Sequence, residues 1–250
     1  MSSPNAIDAE ALTKQYGSTR AVDALDLSIP PGTVYGFLGP NGAGKTTTIR
    51  MLVTLLQPTG GTAAIDGQPI TDRDRVVSRL GYLPESPPLY EELTGREQLE
   101  YIAGLRDMSD DHATERIDEL LELFSLTSDA NKRINTYSKG MKQKTGIIQA
   151  ILHDPPVVFL DEPTSGLDPR AARTVRDTIA DLAAGETTVF LSTHILPVVD
   201  EIADTVGVLY DGDLVAEGPP ENLKQRVGSG GSLEDAFLAV TDGDDLVGGR

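Results

Sequence analysis

A glycine-rich stretch near the start of the chain has the residue types needed to bind a chain of phosphates. Residues 39–46 fit the pattern G-x-x-x-x-G-K-[ST]. The backbone N–H groups of such a loop surround phosphate oxygens, and its glycines allow backbone angles that a Cβ would block. Lys45 would therefore place a positive charge beside the β- and γ-phosphates, and the hydroxyl of Thr46 would bind Mg²⁺.

Two acidic residues, Asp161 and Glu162, follow an apolar segment at 157–160. Ligands of parallel sheets lie at the carboxyl ends of the strands, so Asp161 could reach a Mg²⁺ ion there. Glu162 could polarise an attacking water as a general base. Without other motifs, a plainer interpretation of the two acids would be favoured over these roles. In a chain with this many acidic residues, the pair would simply begin a solvated turn.

The elements that must hold these residues alternate between strand-like and helical patterns. Four apolar or β-branched segments predict strands at 33–38, 157–160, 187–191 and 206–210. The second and third are almost entirely apolar, which is typical of strands buried on both faces of a partly parallel sheet. A helix is predicted at 46–56, directly after the glycine-rich loop and before Pro58. These patterns together indicate an α/β core.

Helical spacing dominates between residues 90 and 153. Thr94 and Glu97 form a capping-box pattern at the start of the first of these helices. Further helices are predicted around 117–124 and from 138 to about 153, where two prolines follow. We expect a helical lobe inserted into the α/β core.

Composition excludes several classes of function. The 250 residues include 39 acidic and 21 basic side chains, a net charge of −18, and no cysteine. A duplex-binding surface needs a strong positive field, so nucleic acid is not expected as a partner. Without cysteine there are no disulfides and no thiol nucleophile. Excess carboxylate favours adaptation to a salty, halophilic cytoplasm, but an ordinary acidic protein would have the same charge.

Membrane-spanning and secretory patterns are both missing from the sequence. No segment has the roughly 18 consecutive apolar residues that cross a bilayer, and the first residues do not form a secretory signal. We therefore expect a cytoplasmic protein that meets a membrane only through a partner.

Two further motifs complete an ordered set with the glycine-rich loop. Residues 161–169 read Asp-Glu-Pro-Thr-Ser-Gly-Leu-Asp-Pro, and residues 137–143 read Tyr-Ser-Lys-Gly-Met-Lys-Gln. This set resembles the ATP-binding-cassette (ABC) ATPases, and the resemblance covers most of residues 6–226. It implies a P-loop NTPase core with a mostly parallel sheet, an antiparallel β subdomain and an inserted helical subdomain.

The resemblance also implies domain boundaries. The ABC ATPase domain would cover residues 1–226, with the α/β core at about 1–85 and 154–226 and the helical subdomain at about 86–153. Residues 227–250 would form a Gly/Ser linker and a short helical tail.

Individual roles follow from the same resemblance, residue by residue. Glu162 and His194 would be catalytic, with His194 contacting the γ-phosphate and positioning the water. The residues expected to bind ATP are Tyr16, Gly39, Pro40, Asn41, Gly42, Ala43, Gly44, Lys45, Thr46, Thr47, Ser138 and Gly140. Mg²⁺ would be bound by Thr46, Asp161 and Glu85. The loop that crosses the dimer and couples its two sites would be Ser165, Gly166, Leu167 and Asp168.

Some of these residues have plainer alternatives. Tyr16, expected to stack on adenine, could be a core or surface tyrosine near a strand end. His153 would be a charged residue at a helix C-terminus, and His112 would lie in a solvated turn.

Two departures from the commonest family pattern indicate which branch of the ABC ATPases this chain resembles. Lys139 and Met141 stand where the commonest signature has Gly and Gln, and Glu85 stands where the family usually has Gln. An acid at position 85 could bind Mg²⁺, but it adds negative charge beside a triphosphate. These variants resemble the ATPases that serve ABC-2-type exporters.

The implied function is the ATP-hydrolysing subunit of an ABC transporter, with an unknown substrate. ATP would close a homodimer and move an integral membrane permease of the ABC-2 type, which would place the chain on the cytoplasmic face of the cell membrane. The loop after Glu85 and the helical lobe would form the groove for the permease.

Three other classes fit less well. Soluble ABC ATPases of ribosomes or DNA usually join two cassettes or carry a long coiled coil. A GTPase or kinase would leave the 137–143 and 161–169 motifs unexplained, and residues 131–134 lack the aspartate of a guanine-reading motif. A nonhydrolytic binding module would not need Glu162 and His194.

Overall fold

The computed structural model describes residues 5–226 and 231–241. The strands are β1 (Ile7–Tyr16), β2 (Thr19–Ile29), β3 (Val34–Leu38), β4 (Gly60–Ile65), β5 (Gln68–Pro69), β6 (Leu80–Leu83), β7 (Val157–Asp161), β8 (Thr188–Ser192), β9 (Thr205–Tyr210) and β10 (Asp213–Gly218). The α-helices are α1 (Lys45–Leu52), α2 (Arg73–Val77), α3 (Gly95–Leu105), α4 (Asp110–Leu123), α5 (Lys139–Ile151), α6 (Pro169–Ala184), α7 (Leu196–Ile202), α8 (Pro220–Arg226) and α9 (Leu233–Thr241). The expected tail helix corresponds to α9, whereas residues 227–230 and 242–250 of the expected linker and tail lie outside the described residues.

Two sheets form the framework of the fold. The larger sheet has the order β10-β9-β3-β8-β7-β6, with all neighbouring pairs parallel except β10 and β9. The smaller sheet has the order β2-β1-β4-β5 and is antiparallel. Every residue of β3, β7 and β8 is buried, as the apolar segments predict for central strands of a parallel sheet. The expected α/β fold with mostly parallel and antiparallel sheets is confirmed.

The hydrophobic core has two parts. One part lies between the two sheets and around α1, and includes Phe37, Ile49 and Phe190. The other covers the opposite side of the large sheet with helices and includes Leu99, Phe124 and Ile148. The large sheet is thus covered on both sides, so its central strands are kept from water.

The predicted helices between β6 and β7 are all present, although α4 begins at Asp110, earlier than the predicted 117–124 segment. The hydroxyl of Thr94 accepts from the N–H of Glu97 at 3.2 Å, and the carboxylate of Glu97 accepts from the N–H of Thr94 at 2.8 Å. This capping box starts α3 as predicted. An ion pair between Arg96 and Asp118 joins α3 to α4.

The predicted helix at 46–56 is wrong at its C-terminal end, because α1 ends at Leu52. Thr54 has a φ of 63°, in the left-handed region, and the N–H groups of Leu55 and Leu56 both donate to the carbonyl of Arg50. The chain turns there to enter β4. Helical periodicity continues past the turn, so the pattern alone overestimates the length of the helix.

Candidate active site

The glycine-rich loop lies between β3 and α1 and depends on the backbone freedom of its glycines. Gly42 and Gly44 have φ values of 86° and 111°, where residues with a Cβ are strained. A Cβ on Gly44 would also lie 2.3 Å from the carbonyl oxygen of Ala21. The loop therefore closes tightly over β2 and leaves its N–H groups available at the start of α1.

Lys45, the first residue of α1, turns its side chain back into the loop. Its Nζ donates to the carbonyls of Gly39 at 2.6 Å and Pro40 at 3.1 Å. Burial lowers the pKa of the Lys45 ammonium, while Glu162 and Asp161 act in the opposite direction. A buried ammonium within reach of the loop can exchange these carbonyls for phosphate oxygens.

Asp161 lies at the carboxyl end of β7 with only 3% of its surface exposed. The hydroxyl of Thr46 donates to its Oδ2 at 3.2 Å, so the two predicted metal ligands are in contact. The pKa of Asp161 is raised, first by burial, with Glu162 and Glu85 adding repulsion. A cation placed among these oxygens would remove that repulsion.

The oxygen donors suit Mg²⁺ held jointly with phosphate rather than by protein alone. In residues 5–226 and 231–241, no three His, Asp or Glu side chains lie close enough to form a metal cluster. Mg²⁺ typically uses one or two carboxylates, water and substrate phosphates. The contact between Thr46 and Asp161 beside the glycine-rich loop fits that mode of binding.

Glu162 follows β7 in a strained conformation, with a φ of 51°. Its N–H donates to the carbonyl of Ser192 at 2.8 Å, which fixes it to the end of β8. One carboxylate oxygen, Oε2, accepts from the Thr193 hydroxyl at 2.9 Å. The other, Oε1, accepts from the N–H of His194 at 3.0 Å and lies 2.7 Å from its Nδ1. Three groups of Thr193 and His194, the two residues directly after β8, therefore orient this carboxylate.

Sheet order explains why these residues meet. Strands β3, β8 and β7 are neighbours and parallel, so their carboxyl ends lie at one edge. A cavity of about 260 Å³ opens at that edge. It is lined by Ala21, Asn41, Gly42, Gly44, Lys45, Thr46, Thr47, Glu85, Asp161, Glu162, Ser165 and His194. All but Ala21 were predicted as site residues.

Four other predicted residues do not line the cavity. Gly39 and Ala43 are buried within the loop, and Pro40 is partly buried. Tyr16, at the end of β1, is 50% exposed. It therefore is a surface residue and not a core tyrosine.

Ser138 and Gly140 stand apart from the cavity, at the start of α5. The Ser138 side chain caps α5 by accepting from the N–H of Met141 at 3.2 Å. A Cβ on Gly140 would lie 3.4 Å from the Leu167 side chain, so the 165–168 loop packs beside it. Within one chain, the structure does not bring these residues to the glycine-rich loop.

Gly166 and Asp168 have local structural roles in the same loop. Gly166 has a φ of 72° and lies under the Lys139 side chain. Asp168 caps α6, because its carboxylate accepts from the N–H groups of Arg170 and Ala171, both at 3.0 Å. The hydrogen bond from Ala171 is the main cause of the lowered pKa of Asp168.

Two residues of the site were missed by sequence reasoning. Ala21 lines the cavity because β2 passes under the loop, and no pattern in the sequence signals that crossing. Thr193 is fully buried and binds Glu162. The sequence feature that could have identified Thr193 was its position between a predicted strand and His194.

The plainer interpretations of the two histidines are each correct in part, because His153 follows the C-terminus of α5 and His112 is exposed beside acidic residues. His153 is not a charged helix end: burial, followed by the positive charge of Arg106, lowers its pKa to about 4. Its Nε2 lies 3.1 Å from the carbonyl of Leu80. His112 lies within the first turn of α4 and not in a solvated turn.

None of the helices in the described part of the chain combines the length and the apolar character required to span a bilayer.

Comparison with known proteins decides the family. The family described as "ABC transporter" matches residues 22–165. The chain is also 44% identical over 225 residues to the daunorubicin/doxorubicin resistance ATP-binding protein DrrA of Streptomyces peucetius, covering 90% of this chain and 68% of that protein. This chain belongs to the ABC transporter family. It is an ABC ATPase, the ATP-binding subunit of a transporter.

Other similarities agree with that assignment. The ABC ATPase is 42% identical to the bacitracin transport ATP-binding protein BcrA of Bacillus licheniformis over 217 residues, 86% of this chain and 70% of that protein. A solved ATP-binding subunit of an ABC transporter superposes with a TM-score of 0.88 at 31% identity, covering 94% of this chain and 99% of that one. A dimeric ATP-binding cassette with ADP and Pi, in a post-hydrolysis state, gives 0.79 at 25% identity, covering 85% and 98%.

Proposed function

We propose that this ABC ATPase binds ATP with Mg²⁺, closes as a head-to-tail homodimer and drives export through an ABC-2-type permease at the cytoplasmic face of the membrane. The observation that carries the proposal is the meeting of Lys45, Thr46, Asp161, Glu162 and His194 at one edge of the large sheet. Each supplies a group that phosphoryl transfer to water requires.

Binding of the nucleotide uses the loop and the two residues that follow Gly44. The N–H groups of residues 41–47 surround the phosphates, and the ammonium of Lys45 contacts the β- and γ-phosphates. Thr46, Asp161 and Glu85, which all line the cavity, would hold Mg²⁺. The metal ion offsets the negative charge of the phosphate oxygens.

Hydrolysis uses Glu162 as the general base. Water attacks the γ-phosphorus, the bond to the β-γ bridging oxygen breaks, and a proton of the water passes to the Glu162 carboxylate. His194 contacts the γ-phosphate and helps to orient the water. The hydrogen bonds from Thr193 and His194 keep the carboxylate in position before the reaction.

Dimerisation completes the site. Ser138 and Gly140 are at the N-terminus of the 13-residue helix α5, but they are separated from the cavity of their own chain. In the head-to-tail dimer, each α5 N-terminus would direct its N–H groups to the ATP of the other copy. The 165–168 loop, packed beside Gly140, would connect the two sites.

The permease would bind in a groove between the core and the helical segment, which we call the α3–α5 groove. Its volume is about 820 Å³. It is lined by Asp74, Val77, Ser78, Tyr82, Pro88, Ile102, Leu105, Arg106, Asp107, Met108, His112, Gln149, Ala150 and His153. The Leu105 side chain is 63% exposed there, which is the apolar surface that a partner would cover.

Two polar residues, Gln149 and His153, lie beneath the apolar surface of the α3–α5 groove. Gln149 is 8% exposed, and its Nε2 has no hydrogen-bond partner among the described residues. His153 stands four residues later and its Nδ1 is also buried without such a partner. Because Nε2 of the neutral ring donates to Leu80, Nδ1 is an acceptor.

Relatives support export as the direction of transport. One is named for daunorubicin and doxorubicin resistance and another for bacitracin transport. We therefore propose that the permease partner exports a toxic organic compound or peptide.

Light scattering of the Glu162→Gln variant tests the proposal. In Mg²⁺ and molar KCl, ATP should convert this variant from monomer to dimer, because the bound nucleotide is not consumed. Lys45→Ala in the same background should stay monomeric with ATP. A variant that binds ATP and remains a monomer at every protein concentration would contradict the dimer mechanism.

A further inference from the structure

A lysine lies against the ring of the tyrosine expected to bind adenine. The Nζ of Lys14 is 5.2 Å from the centroid of the Tyr16 ring. We propose that Lys14 is a positioning residue that holds Tyr16 for the base of the nucleotide. This inference rests on the proposed ATP binding and adds a residue that the motifs do not identify.

The position of Lys14 is itself restrained. Its Nζ donates to the carbonyl of Gln57 at 2.7 Å. On either side of Lys14, the N–H of Thr59 donates to the carbonyl of Thr13 at 2.8 Å, and the N–H of Gln15 donates to Oγ1 of Thr59 at 3.0 Å. Residues 57–59, which follow the turn after α1, thus connect the end of β1 to the helix that begins at Lys45.

Tyr16 needs such a restraint because of its place in the chain. It is the last residue of β1, it is half exposed, and Gly17 follows with a φ of 58°. An exposed aromatic side chain beside a turn exchanges between rotamers, and binding a base to one rotamer costs conformational entropy. An ammonium within about 6 Å of a ring face attracts the electrons of the ring and favours a single orientation.

Only a two-residue turn separates the strand that carries the restrained ring from β2, which runs past the glycine-rich loop. Across the turn from Tyr16, β2 reaches Ala21, which lines the cavity and touches Gly44 through its carbonyl. Lys14 occupies one face of the ring, so the opposite face is left for stacking. The phosphate loop and the base-stacking ring are therefore connected both through β2 and through residues 57–59.

The test compares a ligand with a base and a ligand without one. In Lys14→Met, the affinity for a non-hydrolysable ATP analogue should fall about two- to fivefold, the range of an exposed cation–π contact. The affinity for tripolyphosphate should not change, and Lys14→Arg should restore analogue binding. Calorimetry on the full chain measures these affinities. The matched control is Lys132→Met, which changes an exposed lysine in the helical region between β6 and β7.

A double-variant cycle shows whether Lys14 acts through Tyr16. Tyr16→Ala should weaken analogue binding more than Lys14→Met, and adding Lys14→Met to Tyr16→Ala should cause no further loss. Equal losses for the analogue and tripolyphosphate in Lys14→Met would overturn the inference. So would an undiminished affinity in either single variant. If the unsubstituted protein bound neither ligand, the proposed ATPase function itself would fail.

Discussion

The imidazole of His194 lies against the carboxylate of Glu162, with Nδ1 at 2.7 Å from Oε1. The Glu162 side chain is 11% exposed, whereas that of His194 is 59% exposed. The carboxylate is thus enclosed by its hydrogen-bond donors on the protein side, and the imidazole extends into the cavity. This arrangement suits a base that is oriented before the reaction and an imidazole that is free to meet a phosphate.

Replacing Glu162 with Gln should separate ATP binding from ATP hydrolysis. The amide has nearly the same shape but cannot take a proton, so phosphate release should fall at least about 100-fold. Binding of ATP by calorimetry should persist. Glu115→Gln, an exposed change on α4, should hydrolyse ATP as the unsubstituted protein does. Normal turnover in Glu162→Gln would remove Glu162 from the role of base.

Thr193→Val should slow hydrolysis without weakening ATP binding. Valine fills the same space, but it cannot donate to Oε2 of Glu162. Loss of a hydrogen bond to a charged group costs about 1.5 kcal/mol or more, which corresponds to roughly tenfold in rate if the bond persists in the transition state. Steady-state kinetics and calorimetry should show the loss in kcat alone, and Thr193→Ser should recover most of it. An unchanged kcat would show that the Thr193 hydroxyl has no positioning role.

A charge in the α3–α5 groove should uncouple the subunit from the membrane. Leu105→Asp should leave the ATPase rate of the isolated protein within about twofold, since Leu105 is exposed and does not line the cavity beside the glycine-rich loop. In cells, however, the membrane-bound fraction of the variant should fall. Leu123→Asp, on an exposed part of α4, is the matched control. If both variants remained membrane-bound to the same extent, the groove would not be the docking surface.

Stability should depend on pH through His153. Its folded-state pKa is lowered to about 4, from an ordinary value of 6.5. Between these two values the unfolded chain takes up a proton that the folded chain does not, so stability is lost as the pH falls from 6.5 to 4. His153→Gln should therefore show a smaller fall in Tm over that window. His112→Gln, exposed on α4, should follow the unsubstituted protein, and parallel curves for all three would contradict the burial effect.

Much of the active site could be predicted because its chemistry is encoded in short, continuous segments. The spacing of Gly39, Gly44, Lys45 and Thr46 predicts a loop between a strand and a helix, and the structure has that loop between β3 and α1. The capping box of Thr94 and Glu97 is also encoded within a few consecutive residues, and the structure confirms that prediction. Each depends on backbone geometry over a few residues, which the sequence determines directly.

Relationships between distant segments required the tertiary structure. The strand order β3-β8-β7 alone brings His194 to Glu162 and Asp161 to Thr46. The neutral state of His153 depends on burial and on Arg106, which is 47 residues earlier in the chain (153 − 106). Periodicity could not reveal that α1 stops at Leu52, because the turn after it depends on hydrogen bonds to Arg50 and on the path into β4.

By itself, then, the sequence determined which chemical groups this ABC ATPase possesses and which of them lie in one loop or at one helix end. Only the tertiary structure decided which groups meet: Thr193 with Glu162, Ala21 with Gly44, and Lys14 with Tyr16. The physical reason is that pairing of parallel strands and burial act between residues far apart in the chain, where spacing in the sequence carries no information about distance.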